Sequence, residues 1–85
     1  MTDTLTRIRT FVEKEFLPEG SDDTLGPEEN LLQRGILDSI AVLQVVNFVE
    51  QTYGIRIDDP EITLENFQDL SSIARLVTRK ASAPQ

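Results

Sequence analysis

The amino-acid sequence predicts an all-α fold: a small four-helix bundle of three main helices plus one short helix, with a long first loop. Three observations carry this. Apolar residues recur at three- and four-residue steps in three separate stretches, which marks one face of a helix each time. The one alternating stretch, Ile55-Arg56-Ile57, has no second strand candidate nearby to pair with. And a polar run holding two Gly and two Pro separates the first two periodic stretches.

In the first helix Leu5, Ile8, Val12 and Phe16 share a face, which Phe11 widens. Thr2, Asp3 or Thr4 can cap its start, and it ends near Leu17-Pro18 because proline removes a backbone donor and restricts the residue before it. Residues 18–30 then form a long loop, of a length that is often functional. Leu31, Leu32, Ile36 and Leu37 should pin its end to the core. The second helix should begin just after Asp38 and run to about Tyr53, with Gly54 taking the left-handed geometry that terminates it. Ile40, Leu43, Val46 and Val49 or Glu50 follow helical spacing, while Val42, Val45 and Phe48 make the helix apolar on more than one side. Such a helix is either central to a bundle or partly reserved for a partner. Ile55 to Ile57 reads as extended loop and Asp58-Asp59-Pro60 as a turn. Thr63 caps one or two helical turns through Phe67. Asp69 caps a last helix with Leu70, Ile73, Ala74, Leu76 and Val77 facing inward. Residues 1–80 form the domain, and 81–85 read as a disordered C-terminal tail.

A chain of 85 residues makes one domain. At this size only about 60% of the unfolded surface is buried, so the core is thin and a deep catalytic cleft is hard to build. The 39% hydrophobic and 27% charged residues are those of a soluble globular domain. A net charge of −7, from 15 acids against 8 bases, disfavours nucleic acid and anionic membranes and would steer in a basic partner. The plainer consequence of that acidity is solubility. With neither Cys nor His, disulfides, Cys or His metal sites, cysteine nucleophiles and a serine–histidine triad are excluded. No apolar run approaches the roughly 18 residues that span a bilayer, and Met1 to Leu5 lacks the order of a signal peptide. A cytoplasmic monomer is the default expectation.

The stretch that can carry chemistry is Gly35-Ile36-Leu37-Asp38-Ser39-Ile40. Asp38 is an N-cap acceptor, and Ser39 in the first helical turn should be exposed at the end of the loop. A phosphate ester there would lie at the positive end of the helix dipole, beside unpaired amides. Taken alone, Asp-Ser does no more than start a helix. As a catalytic nucleophile Ser39 would need a base. No His exists, Asp38 is occupied as a cap, and Lys14 and Lys80 lie far along the chain.

The string Leu31-Leu32-Gln33-Arg34-Gly35-Ile36-Leu37-Asp38-Ser39-Ile40 resembles the phosphopantetheine attachment region of free-standing acyl and peptidyl carrier proteins, in which a spaced Gly precedes an Asp-Ser-Leu or Asp-Ser-Ile triplet. The resemblance extends over about residues 3–80. It implies that Ser39 holds a covalent 4′-phosphopantetheine arm, moved from coenzyme A by a phosphopantetheinyl transferase. The arm's thiol would carry acyl or aminoacyl intermediates as thioesters. Asp38 would support the helix start and the transferase contact, and Ile40 would touch the transferase or pack beside the arm. Implied partners are the transferase, a loading enzyme of adenylating or acyltransferase type, and downstream tailoring or condensing enzymes.

One departure stands out. Carriers of the fatty-acid type have a second helix rich in acids, whereas Ala41, Gln44, Val45, Asn47 and Phe48, the outward candidates here, are uncharged. Partner recognition through Ala41, Gln44, Val45 and Phe48 would then rest on apolar and hydrogen-bond contacts, unless Val45 or Phe48 is simply core. The run from Ile62 to Leu70 looks more like stand-alone aminoacyl and specialised acyl carriers of secondary metabolism, of polyketide or nonribosomal peptide type. The competing reading is a helical protein-interaction module without covalent modification; a small hydrolase is disfavoured by the missing base.

Overall fold

A computed structural model of the chain describes residues 3–18, 20 and 24–82. Helix α1 spans Thr4–Phe16, α2 spans Ser39–Tyr53, α3 is the short Leu64–Phe67 and α4 is Leu70–Ser82. A 3₁₀ turn at Asp59–Glu61 precedes α3. The described residues are helical or irregular, with no strand among them. No helix of the described residues is long and apolar enough to cross a membrane.

Each boundary has a local cause. Asp3 caps α1 by accepting the Thr6 amide at 2.7 Å, and Leu17, extended before Pro18, ends it. Thr2, the other residue considered for that cap, lies outside the described residues. Gly54, at φ 65°, closes α2 with its amide on the Glu50 carbonyl. Thr63 caps α3 through the Asn66 amide at 3.2 Å, and Asp69 caps α4 through the Ser72 amide at 2.7 Å. Helix α4 continues through Ala81 and Ser82. That corrects the expected tail at 81–85 in its first two residues; the inward face holding Leu70, Ile73, Leu76 and Val77 gives the helix an anchored body from which to extend. Residues 83–85 lie outside the described residues.

Helix α1 packs chiefly against α4, and α2 crosses both. The core draws Ile8 and Val12 from α1, five residues from α2, Phe67 from α3 and four from α4. Leu5, Phe11, Phe16 and Phe48 are half-buried around it. Phe11 stacks on Phe48 with ring centroids 4.1 Å apart and meets Phe16 edge-on at 6.0 Å, both favoured aromatic geometries. Ile55 and Ile57 are buried with Arg56 exposed between them, so the alternation fits an extended segment laid on the core without a partner strand. The Glu50 carboxylate holds it by accepting the Ile57 amide at 2.9 Å.

The long loop is laced down by backbone bonds. Leu25 is fully buried; its amide donates to Glu13 at 2.9 Å and its carbonyl accepts from Arg9 at 3.0 Å. Further along, the Ser71 amide donates to the Pro27 carbonyl at 2.8 Å and the Leu31 amide to the Gln68 carbonyl at 2.7 Å. The end of the loop is thereby fixed to α1, α3 and α4 before α2 begins.

Candidate functional site

The residues that place Ser39 start at Asn30. Its side chain accepts the Gln33 amide at 2.9 Å and its carbonyl the Arg34 amide at 3.2 Å, which opens one helical turn. That turn ends in a Schellman arrangement: the Ile36 amide reaches back to the Leu31 carbonyl at 3.0 Å and the Gly35 amide to the Leu32 carbonyl at 3.2 Å. Such a closure needs a left-handed residue, and Gly35 supplies it at φ 74°. Open space surrounds the position where a Cβ would sit, so the glycine answers to backbone conformation and not to crowding. Leu31 and Leu37 plug into the core on either side of the reversal, with Leu32 and Ile36 half-buried, as the spacing of the four apolar residues predicts.

Asp38 follows in extended conformation. Its carboxylate accepts the Ala41 amide and its carbonyl the Val42 amide, each at 2.8 Å. Ser39 is therefore the first residue of α2, and it is exposed. Among the described residues its hydroxyl makes no hydrogen bond, so the cap leaves it free. The amides of Ser39 and Ile40 point out of the helix start, at the positive end of the α2 dipole.

Beside Ser39 a groove of about 800 Å³ opens between α2 and α3. Leu37, Val42, Leu43, Ile62, Leu64 and Phe67 line it together with Asp38 and Ser39. Its far wall is held by hydrogen bonds: the Asn66 side chain donates to the Glu61 carbonyl at 2.8 Å, and Glu61 accepts the Asp58 amide at 3.0 Å and Lys80 at 2.7 Å. Lys80 holds the Glu61 carboxyl below its ordinary range, and Glu61 in turn raises the Lys80 ammonium. No cluster of three or more His, Cys, Asp or Glu able to hold a metal exists among the described residues.

The outward face of α2 differs from the one read in the sequence. Ala41 and Val45 are buried, at 6% and 0% exposure, and cannot face a partner. Phe48 is half-buried under Phe11. Of those four positions only Gln44 stands fully exposed, joined by Asn47. The apolar residues that do face outward are Ile40 at 68% and Leu43 at 57% on α2, and Leu64 at 73% on α3. An apolar helix offers more than one self-consistent inner stripe. The bundle chose the small and β-branched residues Ala41, Val42, Val45, Val46 and Val49, which let α2 approach closely, and it left the longer Ile40 and Leu43 outside.

Ser39 is thus an exposed, uncommitted serine opening a helix beside an apolar groove, on a chain with no thiol or imidazole of its own. The chain belongs to the phosphopantetheine attachment site family, whose pattern it matches over residues 7–78. It is thus a carrier protein of the kind that works through a covalently attached 4′-phosphopantetheine and interacts with a phosphopantetheinyl transferase and biosynthetic enzymes. It is similar to the "Probable acyl carrier protein PigG" of Serratia sp. (strain ATCC 39006), 29% identical over 79 residues that cover 93% of this chain and 90% of that protein. A chain from a solved structure described as "Crystal structure of FAD-dependent dehydrogenase" is 33% identical, with a TM-score of 0.73 over 82% of this chain and 97% of that one. The two shares make that matched chain a short one, of about this chain's own size.

The site fits the group. An accessible hydroxyl can take a phosphodiester, first-turn amides lie where its charge would fall, and the adjoining groove offers apolar wall to whatever the arm bears.

Proposed function

We propose that Ser39 is the attachment residue and that the chain presents acyl or aminoacyl thioesters to the enzymes of a secondary-metabolic pathway, of polyketide or nonribosomal peptide type. The observation that supports this most is the exposed Ser39 hydroxyl, left out of the cap that Asp38 makes with Ala41. The attached arm supplies a thiol at the end of a long tether, which holds cargo as a thioester. This chain's own residues do the rest. Asp38 fixes the helix start and so the direction of the serine, Gly35 turns the loop into it, and Leu31 and Leu37 anchor both. Catalysis belongs to the partners: the transferase, a loading enzyme, and tailoring or condensing enzymes. The resemblance to a short chain in the structure described as an FAD-dependent dehydrogenase supports a flavin dehydrogenase among those tailoring partners. An aminoacyl or specialised acyl cargo is the form that the run from Ile62 to Leu70 favours.

Intact mass of the chain taken from its native host tests this reading. One phosphopantetheine, with or without an acyl or aminoacyl group, is expected on Ser39. An unmodified chain from producing cells would favour the module that binds partners without modification.

A further inference from the structure

The bases of this acidic chain are unevenly placed. Helix α4 holds Arg75, Arg79 and Lys80 and no acid at all. Lys80 is spent on Glu61 at 2.7 Å and Asp58 at 3.6 Å. Arg75 and Arg79 stand exposed, one turn apart on the same face. Among the described residues neither forms an ion pair. Arg75 donates to the Ser72 hydroxyl at 3.2 Å, and Arg79 adds to the field that lowers the Glu61 carboxyl without bonding it. The helix dipole accounts for bases in the last turn, where Arg79 and Lys80 lie. It gives no reason for Arg75, a turn earlier.

The two guanidiniums border an open depression of about 460 Å³ between α1 and α4. Leu5 of α1 and Ala74 of α4, both half-buried, supply its apolar lining, and Ser71 and Thr78 its hydroxyls. A smaller, polar depression on the α3 side is bordered by the same two arginines and by Glu65, whose carboxylate pairs with neither. Neither depression shares a lining residue with the groove beside Ser39.

Two unpaired guanidiniums beside an apolar hollow are complementary to a segment that carries two carboxylates around an apolar side chain. Inorganic phosphate would leave the hollow unfilled. A nucleic acid or an anionic lipid surface would be repelled by the net charge of −7. We propose that the outer face of α4, formed by Arg75, Arg79 and the depression lined by Leu5 and Ala74, is a docking surface for an acidic, apolar segment of a biosynthetic enzyme. This rests on the carrier reading above. A partner held there covers none of the residues that line the groove beside Ser39, so the chain can be gripped while its arm stays free to enter an active site. On a chain of this charge the same two cations orient the encounter, because they turn this face toward an acidic partner.

The test replaces the chain in its native host with the double variant Arg75→Glu, Arg79→Glu and weighs the intact protein from producing cells. The fraction bearing the arm should stay within about twofold of wild type, while the ratio among its cargo-bearing forms should shift at least about fivefold, since each attraction becomes a repulsion. Arg75→Lys with Arg79→Lys keeps the charge and should recover most of the wild-type ratio. Arg56→Glu, at an exposed base outside this face, should shift the ratio less than about twofold, which separates the site from net charge. Circular dichroism should show the variants folded. Arg79→Glu alone breaks no hydrogen bond among the described residues and should shift the ratio the same way, so it carries the test if the double variant unfolds. Thr78→p-benzoylphenylalanine, exposed between the two arginines, should photocrosslink to a pathway enzyme at a peptide holding Asp or Glu on both sides of an apolar residue. Unchanged cargo forms in the charge-reversed variants would overturn the proposal. So would loss of the arm in those variants, which would give the face to the transferase, or a crosslink to a neutral or basic peptide or to a second copy of this chain. A wild-type chain without the arm removes the carrier reading itself, an outcome distinct from armed variants whose cargo ignores these arginines.

Discussion

The Leu25 amide donates to the Glu13 carboxylate at 2.9 Å, and this bond fastens the middle of the long loop to the first helix. Four residues earlier on the same helix face Arg9 takes the Leu25 carbonyl at 3.0 Å, so one buried leucine has both backbone groups satisfied by α1 side chains. The loop is thus a positioned strap ending at Ser39. Leu25→Ala is expected to cost about 2–5 kcal/mol through the cavity it leaves, and Glu13→Ala about 1 kcal/mol through the unmet amide. Urea denaturation followed by circular dichroism checks both values.

The cap and the candidate attachment residue are separable. Asp38→Ala removes the acceptor of the Ala41 amide and should cost roughly 1 kcal/mol, while Asp38→Asn keeps an acceptor and should recover most of it. Ser39→Ala, exposed and outside the cap, should leave stability within about 0.5 kcal/mol of wild type. Thermal melts of the three variants measure the difference. A Ser39→Ala protein as unstable as Asp38→Ala would mean that the serine works as part of the cap.

Gly35 sits at φ 74° with nothing near its absent Cβ. Gly35→Ala is expected to cost about 1 kcal/mol from backbone strain alone, and Gly35→Asn less, since asparagine tolerates the left-handed region. If both variants melted with the wild type, the turn before Ser39 would not depend on that conformation.

The Lys80 pair with Glu61 makes stability pH-dependent at both ends. Glu61 ionises below its ordinary value of 4.5 in the folded chain, so its contribution is present above that value and fades as pH falls through the lowered one. Lys80 is raised above 10.5, so its contribution is present below that value and fades as pH rises through the raised one. The pair is partly exposed, and its effect is accordingly small. The difference in urea midpoint between wild type and Lys80→Met should be greatest near neutral pH and shrink toward both extremes. A difference that stays flat across the range would place the effect of Lys80 in its packing and not in its charge.

The helices were legible in the sequence because each carries its own punctuation: Asp3, Asp38, Thr63 and Asp69 cap their starts, and Pro18 and Gly54 stop the two that precede loops. The neighbourhood of Ser39 was legible for the same reason. The face of α2 was not. Nearly every position from Ile40 to Val49 is apolar, so periodicity alone cannot tell the stripe of Val42, Val45, Val46 and Val49 from the one through Ile40 and Leu43. Only the packing of α1 and α4 against α2 decides between them. Leu25 escaped notice because its neighbours, from Asp22 to Gly26, read as a polar loop, and a single buried leucine leaves no period.

The central claim is that Ser39 takes the arm. Purified apo protein incubated with coenzyme A and a transferase, then weighed intact and after proteolysis, tests it most directly. One phosphopantetheine on the peptide containing Ser39, and none on Ser39→Ala, is the result expected here. A wild type that gains nothing with several transferases, or a Ser39→Ala protein that still gains the mass, would contradict it.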